Sequence, residues 1–206
     1  MVFDNHDSRI RYYELLLYRN TLDNIPRYSL PHGMRFVFYQ PGDRDAWIAI
    51  EQSAKELTSY EQGVEVWEKY YAMHEDELSR RMLFIEDADG RKIATASAYF
   101  DINTGDCSDT GWLHWVAVGR RYQGRGLSKP LICHALNVMR DMGYTSAKLS
   151  TQTTTWLACA IYLDMGFLPV PENTVSSHDG WRIIRTITNH HVLEGFKPAA
   201  PDEILA

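Results

Sequence analysis

The chain has 206 residues, of which 45% are hydrophobic and 23% charged, with a formal net charge of -6. This balance describes an ordinary globular protein, long enough for one domain and a terminal extension. It excludes a nonspecific nucleic-acid binder, which needs a basic excess to neutralise phosphates.

Residues 8–22 read as a helix, with Ile10, Tyr13, Leu16 and Leu17 on one face. Pro26 and Pro31 break that pattern, so residues 23–34 read as a linker. Residues 35–39 form a short strand rich in β formers, and Asp43 is placed to cap the helix that follows. Trp47, Ile50, Ala54 and Leu57 recur at helical spacing in that helix. A second helix is expected over 60–78, with Val64, Trp67, Tyr71 and Leu78 turned inward. The period then shifts to strands: 82–86, a hairpin turn at Asp87-Ala88-Asp89-Gly90, and 93–100 returning. Residues 101–110 are polar and read as a loop. Residues 112–118 are a nearly unbroken apolar strand, 126–142 an amphipathic helix capped by Gly143, 147–151 a strand, and 156–165 a helix stopped by Gly166. Residues 167–170 and 181–188 read as two last strands. The order gives a mixed α/β layer, its first half mostly antiparallel. The expected organisation is a helical extension and linker over 1–34, one main domain over 35–188, and a tail over 189–206.

Cys107, Cys133 and Cys159 are odd in number and form no close pair, so neither a disulfide framework nor a metal site is expected. The N-terminal residues lack a signal-peptide layout, and no apolar run approaches the roughly 20 residues of a membrane helix. A cytoplasmic protein without membrane or nucleic-acid partners is the expectation, and a homodimer is left open. His190-His191 reads as surface polarity rather than metal ligation.

The most informative stretch runs from Leu113 to Ser128. An apolar strand enters a turn, Arg121-Tyr122-Gln123-Gly124-Arg125-Gly126, that leads straight into a helix. Such a turn offers backbone N–H groups and the positive end of a helix dipole to an anion. Arg120, Arg121, Arg125 and Lys129 add positive charge. The nucleotide P-loop would need G-x-x-x-x-G-K-[ST], which is absent, and the dinucleotide fingerprint has different glycine spacing.

Ala117-Val118 followed by R-x-x-G-x-G resembles motif A of the GNAT superfamily of acetyl-CoA-dependent N-acetyltransferases. A second match lies downstream, where Ala158, Tyr162, Gly166 and Phe167 stand at the positions of the family's N-x-x-A-x-x-x-Y-x-x-x-G-F. Thr155 replaces the leading Asn. The resemblance covers about residues 35–188 and implies a GNAT-like fold, a central mostly antiparallel sheet flanked by helices.

It also implies acetyl transfer from acetyl-CoA, as cosubstrate, to a primary amine on a small molecule or peptide. Backbone groups of Arg121, Tyr122, Gln123, Gly124, Arg125, Gly126, Leu127 and Ser128 would hold the pyrophosphate. The strand residues Val116, Ala117 and Val118 would hold the pantetheine arm, and Thr155 stands at a further cofactor-contact position. Tyr162 is the implied general acid. His114 is the implied base, because L-H-x-x-A-V resembles the corresponding strand of arylalkylamine N-acetyltransferases. Strand alternation puts His114 on the face of Val116 unless a bulge intervenes. Asp109 or Glu51 acting through water is a further candidate base, and Trp47, Trp67 and Tyr71 line either the acceptor pocket or the core. Direct attack in a ternary complex is expected rather than an acetyl-enzyme. The alternatives are a noncatalytic acyl-CoA-binding module and a transferase using another acyl donor.

Overall fold

The computed structural model describes residues 6–101, 109–171 and 177–206. The polar stretch containing Asp106 and Cys107 lies outside them. The chain divides into two compact units, one of residues 21–147 and one of residues 1–20 with 148–206.

The first unit holds four antiparallel strands in the order β2 (Arg35–Phe38), β3 (Met82–Glu86), β4 (Lys92–Tyr99), β5 (Thr110–Val118). The β3–β4 hairpin turns at Asp87, whose Oδ1 accepts the N–H groups of Asp89 and Arg91, both at 3.0 Å. β3 is buried along its whole length, as its unbroken apolar run requires. Helices α1 (Arg44–Ala54) and α2 (Tyr60–Tyr70) place Trp47, Ile48, Ile50 and Trp67 in one cluster with Phe84, Tyr99 and Ala117. Helix α4 (Ser128–Asp141) packs on β4 and β5 and buries Leu131, Ala135, Leu136 and Met139.

Two expectations change in this unit. The single helix over 60–78 is α2, a short 3-10 turn, and α3 (Glu75–Arg81). The break lets Tyr71 turn inward, where its hydroxyl donates to Ser97 Oγ at 3.1 Å. Asp43 precedes α1 but makes no side-chain cap. Its carboxylate instead accepts the Gln40 N–H at 2.7 Å and pairs with Lys92 at 3.0 Å, while Ser59 does cap α2 through the Gln62 N–H.

Among its described residues the second unit holds β1 (Glu14–Arg19), β7 (Leu168–Pro169) and all but the first two residues of β6 (Ser146–Gln152), in the order β6-β1-β7, with α5 (Trp156–Asp164) and α6 (His178–Thr188). The helix expected over 8–22 is instead strand β1. Its burial alternates, with Leu15, Leu17 and Arg19 inward, and it pairs antiparallel with β7 through Leu17 and Pro169. Pairing with β7 overrides the helical spacing of the apolar residues. The reverse holds at the other end, where residues 181–188, expected as a strand, belong to α6. Gly180 lets α6 approach β1 so closely that an added Cβ would stand 2.6 Å from Tyr13 Cβ. After α6 the chain makes a short helix α7 (Pro201–Ile204), and Leu205 bridges to Ile10.

Candidate acyl-CoA site

Strand β5 does not run evenly. On β4, Thr95 and Ser97 are two residues apart; their β5 partners, Ala117 and His114, are three apart. The extra residue on β5 is a bulge at Trp115 and Val116, and Trp115 takes a positive φ of 47°. A bulge loosens the ladder and re-aims side chains. His114 and Val116 are therefore not related by simple alternation. His114 and Trp115, neighbours in sequence, both meet rings on the helix-covered face. The Trp115 ring lies 5.4 Å from that of Trp47, and the His114 ring 5.5 Å from that of Tyr99.

Beyond Val118 the turn is fixed by its own groups. Gly119 N–H donates to Ile93 O at 2.9 Å, Arg120 N–H to Ser53 Oγ at 2.9 Å, and Gln123 Nε2 to Val118 O at 3.1 Å. Tyr122 Oη donates to Asp87 Oδ2 at 3.0 Å, and the Arg125 guanidinium lies 5.0 Å over the Tyr122 ring. Gly124 and Gly126 have φ of 74° and 76°, a region that L side chains rarely adopt, and an added Cβ on either would meet nothing within 4 Å. The turn is thus open where a ligand would come close. Leu131 N–H bonds back to Leu127 O at 3.1 Å, so the N–H groups that open α4 precede this bond, Pro130 contributing none. This donor set at a helix N-terminus fits a pyrophosphate. Arg121, Tyr122 and Arg125 also border a cleft of about 400 Å³ shared with His32, Arg91 and Asp87.

His114 is partly buried, and its Nδ1 is buried without a hydrogen-bond partner. Burial pushes its imidazole down to about 4, against a smaller opposing pull from Asp101. The ring is therefore uncharged at neutral pH. Asp109 serves the backbone here: its carbonyl accepts the N–H of Thr145 at 2.9 Å.

Glu51 stands out in the structure more than its place in the sequence implies. It is fully buried on α1, neither carboxyl oxygen has a hydrogen-bond partner, and burial holds its carboxyl well above the usual range, with Glu56 adding to the effect. The signal was present, because position 51 lies one turn from Trp47 on the apolar face.

In the other unit, Tyr162 lies on α5, mostly buried, with its ring edge-on to Phe167 at 6.1 Å. Thr155 closes the 3-10 turn before α5; its hydroxyl donates to Gln152 O and meets Thr151 Oγ1, each at 3.1 Å. That hydroxyl is engaged locally. Burial raises the Cys159 thiol far above its ordinary value. Among the described residues no cluster of His, Cys, Asp and Glu could hold a metal ion, and no helix is long and apolar enough to cross a membrane.

Residues 45–167 match the Acetyltransferase (GNAT) family. The chain belongs to that family. Over 146 residues it is 26% identical to mycothiol acetyltransferase of Pseudarthrobacter chlorophenolicus, a match covering 70% of this chain and 45% of that protein. It is 40% identical over 55 residues to N-acetyltransferase 8B of Rattus norvegicus, covering 27% of this chain and 25% of the relative. The chain thus spans less than half the length of these curated relatives. Among solved structures, a GCN5-related N-acetyltransferase from Sphaerobacter thermophilus aligns with a TM-score of 0.61 at 21% identity, covering 79% of this chain and 49% of that one. A GNAT acetyltransferase from Colwellia psychrerythraea aligns at 0.57 and 14% identity, covering 80% and 56%. The mixed α/β fold is that of the GNAT acyltransferases.

Proposed function

We propose that the chain transfers an acetyl group from acetyl-CoA to a primary amine, by direct attack within one ternary complex. The observation that carries this reading is the bulged strand β5 running into an open glycine turn at the N-terminus of α4. The turn from Arg121 to Ser128 would hold the pyrophosphate through backbone N–H groups and the α4 dipole. Backbone groups of Val116, Ala117 and Val118 would bind the pantetheine amides like an added strand. A backbone N–H at the bulge would face the thioester oxygen as negative charge builds on it. Tyr162 would donate a proton to the departing thiolate. His114, uncharged and with a partnerless Nδ1, is available to accept a hydrogen bond near the reacting groups. Direct attack is favoured over an acetyl-enzyme because burial suppresses the thiolate of Cys159.

One observation favours a second reading. The Thr155 hydroxyl, at the family's Asn position, is bonded to its own backbone turn, which suits a module that binds acyl-CoA without performing transfer. The two readings separate by thiol release from acetyl-CoA across a panel of primary amines, read beside the acetyl-CoA-induced rise in melting temperature. Thiol release with the thermal shift supports the transferase; the shift alone, with no amine consumed, supports the binding module. A protein indifferent to acetyl-CoA overturns both.

A further inference from the structure

The face of β4 and β5 beneath α1 holds five buried polar atoms with no hydrogen-bond partner: both Glu51 carboxyl oxygens, Trp47 Nε1, Thr95 Oγ1 and His114 Nδ1. Buried polar groups are almost always paired, so a cluster of orphans calls for a physical reason. All five belong to one compact unit.

Their arrangement is specific. Glu51 follows Trp47 by one helical turn, and the Trp47 ring meets Trp67, Tyr71 and Trp115 edge-on at 5.5, 5.6 and 5.4 Å. Two residues after Glu51, Ser53 accepts the Arg120 N–H at the start of the glycine turn. Glu51 therefore stands beside the C-terminal half of β5, where the bulge loosens the ladder. Tyr70 and Trp115, both partly exposed, form the outer wall, their rings 6.0 Å apart. Lys69 Nζ lies 4.7 Å over the Tyr70 ring at this rim; none of the inner residues named here is a Lys or Arg, so an acceptor bearing a carboxylate or phosphate finds no counter-charge beside Glu51, whereas an ammonium does.

We propose that Glu51 meets the ammonium of the acceptor and takes its proton, and that the acceptor is a primary amine on an apolar, preferably aromatic, body. This rests on the acetyl-transfer reading above. The amine N–H bond breaks and a Glu51 O–H bond forms, which frees the nitrogen lone pair. The nitrogen then bonds the acetyl carbon as the C–S bond breaks, and the second proton that the nitrogen sheds on becoming an amide ends on the sulfur. The proton left on Glu51 passes to solvent before the next turnover. A buried carboxylate is a stronger base than an exposed one, because burial disfavours its charge. The titratable groups near it are Glu56 after α1, Tyr70 and Tyr71 at the end of α2 with Lys69 over the Tyr70 ring, Tyr99 on β4 and His114 on β5, while β4 also contributes the hydroxyls of Thr95 and Ser97.

Glu51→Gln in the full chain is the test, because Gln matches the neutral acid in size. The variant should keep its melting temperature and its acetyl-CoA shift, lose roughly 100-fold or more in kcat, and lose the alkaline rise of kcat/KM with pH. Phenethylamine should be acetylated at least about tenfold faster than an amine carrying a carboxylate, since an unpaired charge is costly among buried aromatic rings. Turnover of Glu51→Gln within twofold of the wild type, with the same pH profile, overturns the proposal alone, as does a preference for the acidic amine. A wild type that binds acetyl-CoA yet acetylates no amine overturns the transfer reading, and the proposal with it. Should the variant not fold, pH-difference infrared spectra of the wild type decide. A buried carboxyl band that titrates with the kcat/KM rise supports the proposal, and one that does not overturns it.

Discussion

Thr95 on β4 faces Ala117 on β5, although simple counting from the Ser97–His114 pair would put Val116 there. That one-residue displacement is the bulge. It brings His114 into the aromatic cluster and leaves Ala117, not Val116, against the core.

His114 carries a pH signature. Its folded value of about 4 lies below its ordinary 6.5, so the folded state resists protonation more than the unfolded chain does. Its contribution to stability is complete above 6.5 and is lost as pH falls toward 4. Urea unfolding at a series of pH values should show this loss in the wild type and a flatter profile over the same range in His114→Gln.

Gly126 tests the phosphate turn. Its φ of 76° strains any L side chain, but the space around it is open, so Gly126→Val should fold at a cost of about 1–2 kcal/mol. The added side chain would occupy the approach to the N–H groups. Isothermal titration should then show acetyl-CoA binding weakened at least about tenfold, roughly the loss of one good hydrogen bond to a charged group. Unchanged affinity would remove the turn from the binding site.

Tyr162→Phe isolates the proposed acid. Loss of proton donation should lower kcat by about 100-fold and leave the KM for acetyl-CoA nearly unchanged. The steady-state rate with a good amine checks this, and full turnover would exclude Tyr162 from the chemistry.

Gly180 is a packing test away from that chemistry. An added Cβ would lie 2.6 Å from Tyr13 Cβ and 3.0 Å from Leu15 Cδ2. Gly180→Ala should therefore destabilise the chain by about 1–3 kcal/mol, a cost of overpacking seen in the denaturation midpoint, with acetyl-CoA affinity unchanged.

The glycine turn was legible because its chemistry is local: Gly124, Gly126 and the helix after them sit within a few residues. The hairpin at Asp87 and the helix α4 were legible for the same reason. β1 and α6 were not. Ile10, Tyr13 and Leu17 fit a helical face as well as Leu15 and Leu17 fit a strand, and only pairing with β7 decides. Trp181 to Thr188 is rich in β-branched residues, yet its Trp181 and Ile184 bury one helical face. The bulge was hidden too, because an extra residue is defined only by the strand opposite it. Glu51 was half visible, an acid on an otherwise apolar helix face whose isolation appears only once its neighbours are in place.

The bond from Arg120 N–H to Ser53 Oγ joins the entrance of the turn to the last turn of α1. A ligand that settles the turn thus also settles the end of α1, since the two share a donor and an acceptor. Conformational freedom lost there on binding the first substrate is not lost again when the second arrives. On the transfer reading proposed above, this shared bond would favour an ordered encounter, acetyl-CoA first and the amine second.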